Sequence, residues 1–141
     1  MPSSSGPIIS PQAALIYVMV IAAVADGQLN DRELGSVAEI ARHLPVFNGL
    51  SPEDLERVVG DCAAMLDQAD GIDAVLGLAK QALPERLRET AYALACDIVA
   101  TDGTAAQEEL RWLEMLRQEL GIDRLHAGGI ERGARARYIT L

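Results

Sequence analysis

Four acidic residues, arranged in two matching copies of one motif, are the strongest candidates for chemistry in this chain. Asp26-Gly27 is followed by Glu33, and Asp102-Gly103 is followed by Glu109, so both copies read D-G-x5-E at an offset of 76 residues. Carboxylates held close together repel one another unless some of them bind protons or a cation. Oxygen ligands without Cys or His favour hard ions, so the expected cofactor of a shared site is Ca²⁺ or Mg²⁺.

The same residues also suit the start and end of helices. Asp-Gly is a common helix stop because glycine adopts the left-handed conformation of a C-cap. Glutamate at the third helical position completes a capping box. The motif is not an EF-hand, since Asp31 stands where that loop needs glycine and Val37 where it needs glutamate. Two interpretations therefore stay open, a divalent-cation site and a repeated set of structural caps.

Helices must position these acids, because no segment shows the alternating pattern of a strand. The run Ala13–Ala25 precedes the first copy and is apolar throughout, and Ala91–Ala100 precedes the second and is apolar except for Asp97. Helices of this kind are buried on all sides, which places both at the centre of a bundle. We predict an all-α fold, a bundle of about seven helices built from two pseudo-symmetric halves.

Capping residues mark the expected helix starts. Ser10-Pro11 and Ser51-Pro52 each combine a serine N-cap with proline at the first helical position. Asn30 and Thr104 cap the helices that follow the two motifs, and Asp70-Gly71 separates the third helix from the fourth. In the helix after the second motif, the residues expected to face the core are Leu110, Leu113, Leu116 and Leu120.

Charge and composition narrow the classes of function. The 141 residues carry a net charge of −9, so the body repels phosphate backbones and nucleic-acid binding is not expected. Residues 1–9 are interpreted as a flexible lead-in and residues 10–141 as one helical domain. Its end, 130–141, is a basic C-terminal tail. This tail has three candidate docking sites, namely an acidic partner, an anionic membrane surface and the molecule's own acidic face.

Single residues add weaker candidates. Cys62 and Cys96 lie in apolar helical patterns and are expected as small core residues in a reducing cytoplasm. Asp97 is either exposed or partly buried against an arginine or a metal site, and Trp112 is either a buried anchor or a surface residue for a partner. The sequence contains no nucleophile–base pair, phosphate loop or Cys/His cluster, so we do not expect an enzyme.

The chain resembles the tellurite-resistance TerB-like family over about residues 10–122. The resemblance rests on Val24-Ala25-Asp26-Gly27 through Glu33-Leu34 and on Ala100-Thr101-Asp102-Gly103 through Glu109-Leu110. It implies a helical bundle built from a duplicated unit, an acidic cluster that binds divalent metal, and association with stress-response machinery near the inner face of bacterial membranes. The second copy departs from the first, since it has Ala106 where the first has Asn30 and therefore lacks an oxygen donor there.

Motif, charge and resemblance together predict a non-enzymatic TerB-like binding or adaptor module. It would bind a divalent cation at Asp26, Glu33, Asp102 and Glu109 and act in tellurite or other stress response. Its expected location is the cytoplasm or the inner membrane surface, and its partners are the cation and a protein that the sequence does not identify. The alternative is a metal-independent helical protein-interaction module. A metal-dependent hydrolase is a third option, but the sequence supplies no clear base for it.

Overall fold

The computed structural model describes residues 9–24, 31–101 and 107–141, apart from the side chains of residues 31–33. Within these ranges all regular secondary structure is helical and there is no strand, so the predicted all-α bundle is confirmed. The duplication of two halves stays a prediction. The helices are α1 (Pro11–Val24), α2 (Asp31–His43), α3 (Pro52–Leu66), α4 (Gly71–Ala82), α5 (Arg88–Ala100), α6 (Gln107–Leu120) and α7 (Arg124–Arg137), with 3₁₀ turns at Pro45–Phe47 and Glu85–Leu87.

The two apolar helices, α1 and α5, form the centre of the bundle. They pack against each other; α2, α3 and α4 cover α1, and α6 and α7 cover α5. Every residue from Ala13 to Ala23 is buried, because this stretch carries no polar side chain except Tyr17 and other helices surround it. The predicted central position of the two helices is confirmed.

Local capping explains several helix starts. The hydroxyl of Ser10 accepts a hydrogen bond from the Ala13 amide at 3.0 Å, and that of Ser51 accepts one from the Asp54 amide at 3.1 Å. Both serine caps are thereby confirmed. The Asp123 carboxylate accepts hydrogen bonds from the amides of Leu125 and His126 and starts α7. The caps predicted at positions 30 and 104 lie outside the described residues.

The corner between α3 and α4 depends on a glycine. Asp70 has a left-handed backbone with φ of 59°, and α4 begins at the next residue. A Cβ on Gly71 would lie 2.5 Å from the carbonyl oxygen of Met65, so this position admits no larger residue without a shift of the backbone. The predicted break at Asp70-Gly71 is confirmed.

The start of α1 is tied to the turn that follows α2. The Gln12 side-chain amide donates hydrogen bonds to the carbonyl oxygens of Val46 and Asn48, both at 3.1 Å. This link fixes the first turn of α1 beside the 3₁₀ turn Pro45–Phe47.

Among the described helices, none has the length and apolar content needed to cross a membrane.

Candidate functional site

The four predicted cation ligands belong to the segments that join α1 to α2 and α5 to α6. Asp26 and Asp102 lie outside the described residues. Glu33 lies in the first turn of α2, with its side chain outside the described part, and Glu109 lies in the first turn of α6. The convergence of the four carboxylates therefore stays a prediction.

Glu109 is the one charged side chain that is buried among the described residues, with 4% of its surface exposed. A carboxylate in that position costs several kcal/mol unless it is paired or hydrogen-bonded. Glu109 does have an interaction partner. The second motif thus places a carboxylate inside the protein. An acid that served only to make a helix surface soluble would be exposed instead.

The burial of Glu109 corrects one prediction on α6. Leu110 was expected to face the core, but 53% of its surface is exposed. The buried stripe of α6 passes through Glu109, Leu113, Leu116 and Leu120, at successive spacings of four, three and four residues. Leu110 lies about 100° around the helix from that stripe. The sequence prediction was wrong because it assigned the inner position to the apolar neighbour of the acid.

The helices that follow the two motifs each contact both central helices. α2 contacts α1 and α5, and α6 contacts α5 and α1. The four helices that flank the motifs therefore form one packed group.

Histidine and cysteine give no metal site in the described part of the chain, where no group of three or more His, Cys, Asp or Glu is arranged to hold an ion. His126 Nδ1 lies 3.1 Å from a Glu89 carboxylate oxygen and His43 Nδ1 lies 3.3 Å from that of Glu39, both at exposed positions. Both cysteines are buried, as predicted. Burial raises the pKa of the Cys62 and Cys96 thiols to about 12, so both are protonated at neutral pH.

Two polar pairs join α5 to α7. Asp97 accepts a hydrogen bond from the Arg137 guanidinium at 2.5 Å, and 14% of the aspartate side chain is exposed. Of the two interpretations of this residue, the partly buried carboxylate against an arginine is confirmed. The same hydrogen bond raises the pKa of Arg137. One turn earlier, the buried Tyr92 hydroxyl donates to Glu131 at 2.5 Å, and burial together with this bond raises the pKa of Tyr92.

The Tyr92–Glu131 pair was not foreseen from the sequence. A tyrosine in an otherwise apolar helix usually has a partner for its hydroxyl, so Tyr92 was the available signal. Its partner is 39 residues away and could not be chosen from spacing.

Trp112 is 5% exposed, which confirms the buried interpretation, and its indole N–H has no hydrogen-bond partner among the described residues.

Two grooves are open on the described surface. One of about 840 Å³ lies between α5, α6 and α7, is polar as well as apolar, and contains Tyr92, Cys96 and Glu131 in its lining. The other, of about 550 Å³, lies between α2 and α3 and is mainly apolar. Its apolar side chains are Leu34, Ala38, Ala41, Leu44, Phe47, Leu50, Pro52, Leu55 and Val59.

Comparison with known proteins gives a family. The family model described as tellurite resistance protein TerB matches residues 12–130, which include α1 to α6 and the first half of α7. No curated protein and no solved structure gives a match. The matched range contains both copies of the D-G-x5-E motif and both central helices. Since the match covers most of the chain, this protein belongs to the TerB family of tellurite resistance proteins.

Proposed function

We propose that this protein is a non-enzymatic TerB-like binding module with a divalent-cation site formed by Asp26, Glu33, Asp102 and Glu109. The observation that carries the proposal is the burial of Glu109 at its motif position in the first turn of α6. A cation compensates the repulsion between carboxylates that are held together away from bulk water. Ligands of this kind select Ca²⁺ or Mg²⁺.

The packing around the motifs supports one shared site. Because α2 and α6 each contact both α1 and α5, the helices on either side of each motif belong to a single group. Under the proposal, the two aspartates approach from the ends of the central helices and the two glutamates from the first turns of α2 and α6. The site then needs both halves of the chain, and an ion bound there links them.

The proposed role is that of an adaptor. A bound cation and the acidic body, with a net charge of −9, give a surface that a protein partner recognises. The family description supports a role in tellurite resistance. The proposal extends this role to other stress responses and places the protein in the cytoplasm or at the inner membrane surface.

Thermal unfolding tests the cation site. The chelated protein is heated alone and with Ca²⁺, Mg²⁺ or Mn²⁺, beside a variant carrying Asp26→Asn, Glu33→Gln, Asp102→Asn and Glu109→Gln. An ion present at 100 times its dissociation constant stabilises the folded state by about 2.7 kcal/mol, which raises Tm by several degrees in a domain of this size. We expect a shift in the wild type and none in the variant.

The matched control changes four exposed acids outside the motifs, Glu39→Gln, Glu85→Gln, Glu89→Gln and Glu119→Gln. It alters the net charge by the same amount, so it separates binding at the motifs from screening of the whole acidic body. A cation effect that is absent from the wild type, or that persists in the motif variant and disappears in the control, rejects the proposed site.

A metal-independent interaction module is the second candidate, and the groove between α2 and α3 favours it. The groove has a volume of about 550 Å³ and a mainly apolar lining that includes Leu44, Phe47 and Leu55. Apolar grooves between helices receive the apolar face of a partner helix. If cations leave Tm unchanged while Leu55→Asp abolishes capture of a partner, this second function is the correct one.

A further inference from the structure

The solvent-exposed side of α3, the turn that follows it and the first turn of α4 carry a concentration of acids, which we call the acidic face. Its six acids are exposed and make no ion pair with any described residue. The only basic residue between positions 53 and 73 is Arg57, which is paired with Asp54. The residues of the acidic face are Glu53, Glu56, Asp61, Asp67, Asp70 and Asp73, and Ile72 is exposed among them.

α7 presents a basic face. Arg124, Arg132 and Arg135 are exposed and make no ion pair with any described residue, whereas Arg137 is held by Asp97. Helical spacings of eight and three residues put these three arginines on one side of α7. Leu125 lies seven residues before Arg132, on the same side, and is 81% exposed. The basic face thus carries three cations next to an exposed apolar side chain, and its one acid, Glu131, accepts a hydrogen bond from Tyr92.

The two faces are carried by different parts of the bundle. α3 and α4 pack against α1, whereas α7 packs against α5. Among the described ion pairs, none joins an arginine of α7 to an acid of α3 or α4. The complementary charges of one molecule are therefore not used to neutralise each other.

We propose that the basic face of one copy docks on the acidic face of a second copy. The two faces differ, so the contact is heterologous, and association continues from copy to copy unless a ring closes. Charge complementarity steers the encounter and sets the register. Exposed Leu125 on one side and Ile72 on the other supply apolar area within the contact. This inference is independent of the cation site.

Sedimentation equilibrium of the full chain measures the association. At low ionic strength, the weight-average mass rises with protein concentration from the monomer value of 15.1 kDa. Salt at about 0.5 M returns it to the monomer, because screening lengths then fall well below the roughly 10 Å found at 0.1 M. A mass that stays at the monomer value at low salt and at every concentration overturns the proposal.

Charge reversal on each face identifies the surfaces. The first variant carries Arg132→Glu and Arg135→Glu, and the second carries Glu53→Lys and Glu56→Lys, which have the same spacing of three residues on α3. Each alone places like charges in the contact, so we expect its dissociation constant to rise at least about tenfold, the equivalent of one or more exposed ion pairs lost and replaced by repulsion. Mixed in equal amounts, the two variants present opposite charges again and regain association.

The matched control reverses Arg86 and Arg111, which are exposed arginines outside the basic face, to glutamate. It changes the net charge as the first variant does, and we expect it to lower association far less. Circular dichroism checks that every variant keeps its helix content. If the mixture of the two reversed variants stays monomeric, the proposed pairing is wrong. If the wild type is monomeric and its α7 arginines instead bind vesicles of anionic lipid, the occupant of the basic face is a membrane and the proposal is overturned.

Discussion

The two central helices are both covered by other helices of the bundle but are built differently. At the offset of the repeated motif, Ile16 and Ile21 of α1 align with Tyr92 and Asp97 of α5. Both isoleucines are fully buried, while the tyrosine and the aspartate make the polar pairs with α7. Positions that align at the motif offset thus take an aliphatic side chain in α1 and a polar one in α5.

The covering helices explain this difference. α3 and α4 meet α1 with small and aliphatic side chains such as Val58, Cys62 and Val75, which offer no partner to a charge. α7 meets α5 through Ala127 and Ala134, and its long side chains reach past these alanines to the polar groups of α5. What a central position tolerates is decided by the helix that covers it and not by the central helix alone.

Exchanging the aligned residues tests this comparison most strongly. Ile21→Asp buries a charge among aliphatic side chains, and we expect it to lower the free energy of unfolding by about 3–5 kcal/mol. Asp97→Ile leaves only Arg137, whose side chain is 55% exposed and is hydrated when unpaired, so its expected cost is about 1 kcal/mol or less. Urea unfolding measures both. Equal costs for the two substitutions would mean that the covering helices do not make the difference.

Alkaline pH probes one thiol in each region. Burial raises the pKa of Cys62 on α3 and of Cys96 on α5 to about 12, and Glu131 adds to the effect at Cys96. The unfolded chain loses these protons first, so stability is complete below the ordinary thiol pKa near 9 and falls as pH rises from there towards 12. Near pH 10 the expected loss is on the order of 1 kcal/mol for each thiol.

Urea unfolding of Cys62→Ala and Cys96→Ala across this pH range gives the contribution of each thiol. Each variant should show a shallower decline above pH 9 than the wild type, whatever its stability at neutral pH. Tyr17 and Tyr92, whose pKa values burial also raises, remain in both variants and account for the rest of the decline. An unchanged slope in either variant contradicts the raised thiol pKa at that position.

Tyr92→Phe and Tyr17→Phe form a matched pair on the two central helices. The first removes the hydrogen bond to Glu131, and we expect a loss of about 1 kcal/mol, because Glu131 is exposed and regains water. Tyr17 is also buried, but its hydroxyl has no hydrogen-bond partner among the described residues, so its removal should change stability little. Thermal unfolding measures the stability of both variants. A larger loss of stability for Tyr17→Phe than for Tyr92→Phe would contradict the comparison.

The smallest effect concerns the surface arginines of α7. Arg137→Ala breaks the pair with Asp97, whose expected contribution is about 0.2–1 kcal/mol for an ion pair with one exposed partner. Arg132→Ala is the control on the same helix, since that arginine makes no ion pair with any described residue. Denaturation at low and high salt should reveal a salt-sensitive loss of unfolding free energy for Arg137→Ala only. The same loss in both would assign the effect to helix propensity.

Local features of the sequence were sufficient for much of the fold. The serine–proline starts of α1 and α3 and the break before α4 depend on residues within one turn, and a fully apolar helix has only one place in a small bundle. The partners across α5 and α7 are 39 and 40 residues apart, and no spacing rule selects them. The choice between Glu109 and Leu110 depended on which side of α6 packs against the rest of the bundle, which is a tertiary property. For the candidate site, the sequence supplied the positions of the acids but not their arrangement.

The burial of α1 also has a consequence for synthesis on the ribosome. Its apolar stretch, Ala13–Ala23, finds its main neighbour in α5, whose aligned residues come 76 positions later. At about 5–20 residues per second, the ribosome takes roughly 4–15 s to produce that segment. For this interval α2, α3 and α4 provide the only cover made so far, and one side of α1 remains open. During this interval the nascent chain exposes the apolar side of α1 that α5 will later cover. A chaperone that binds apolar segments would compete with α5 for that side of α1.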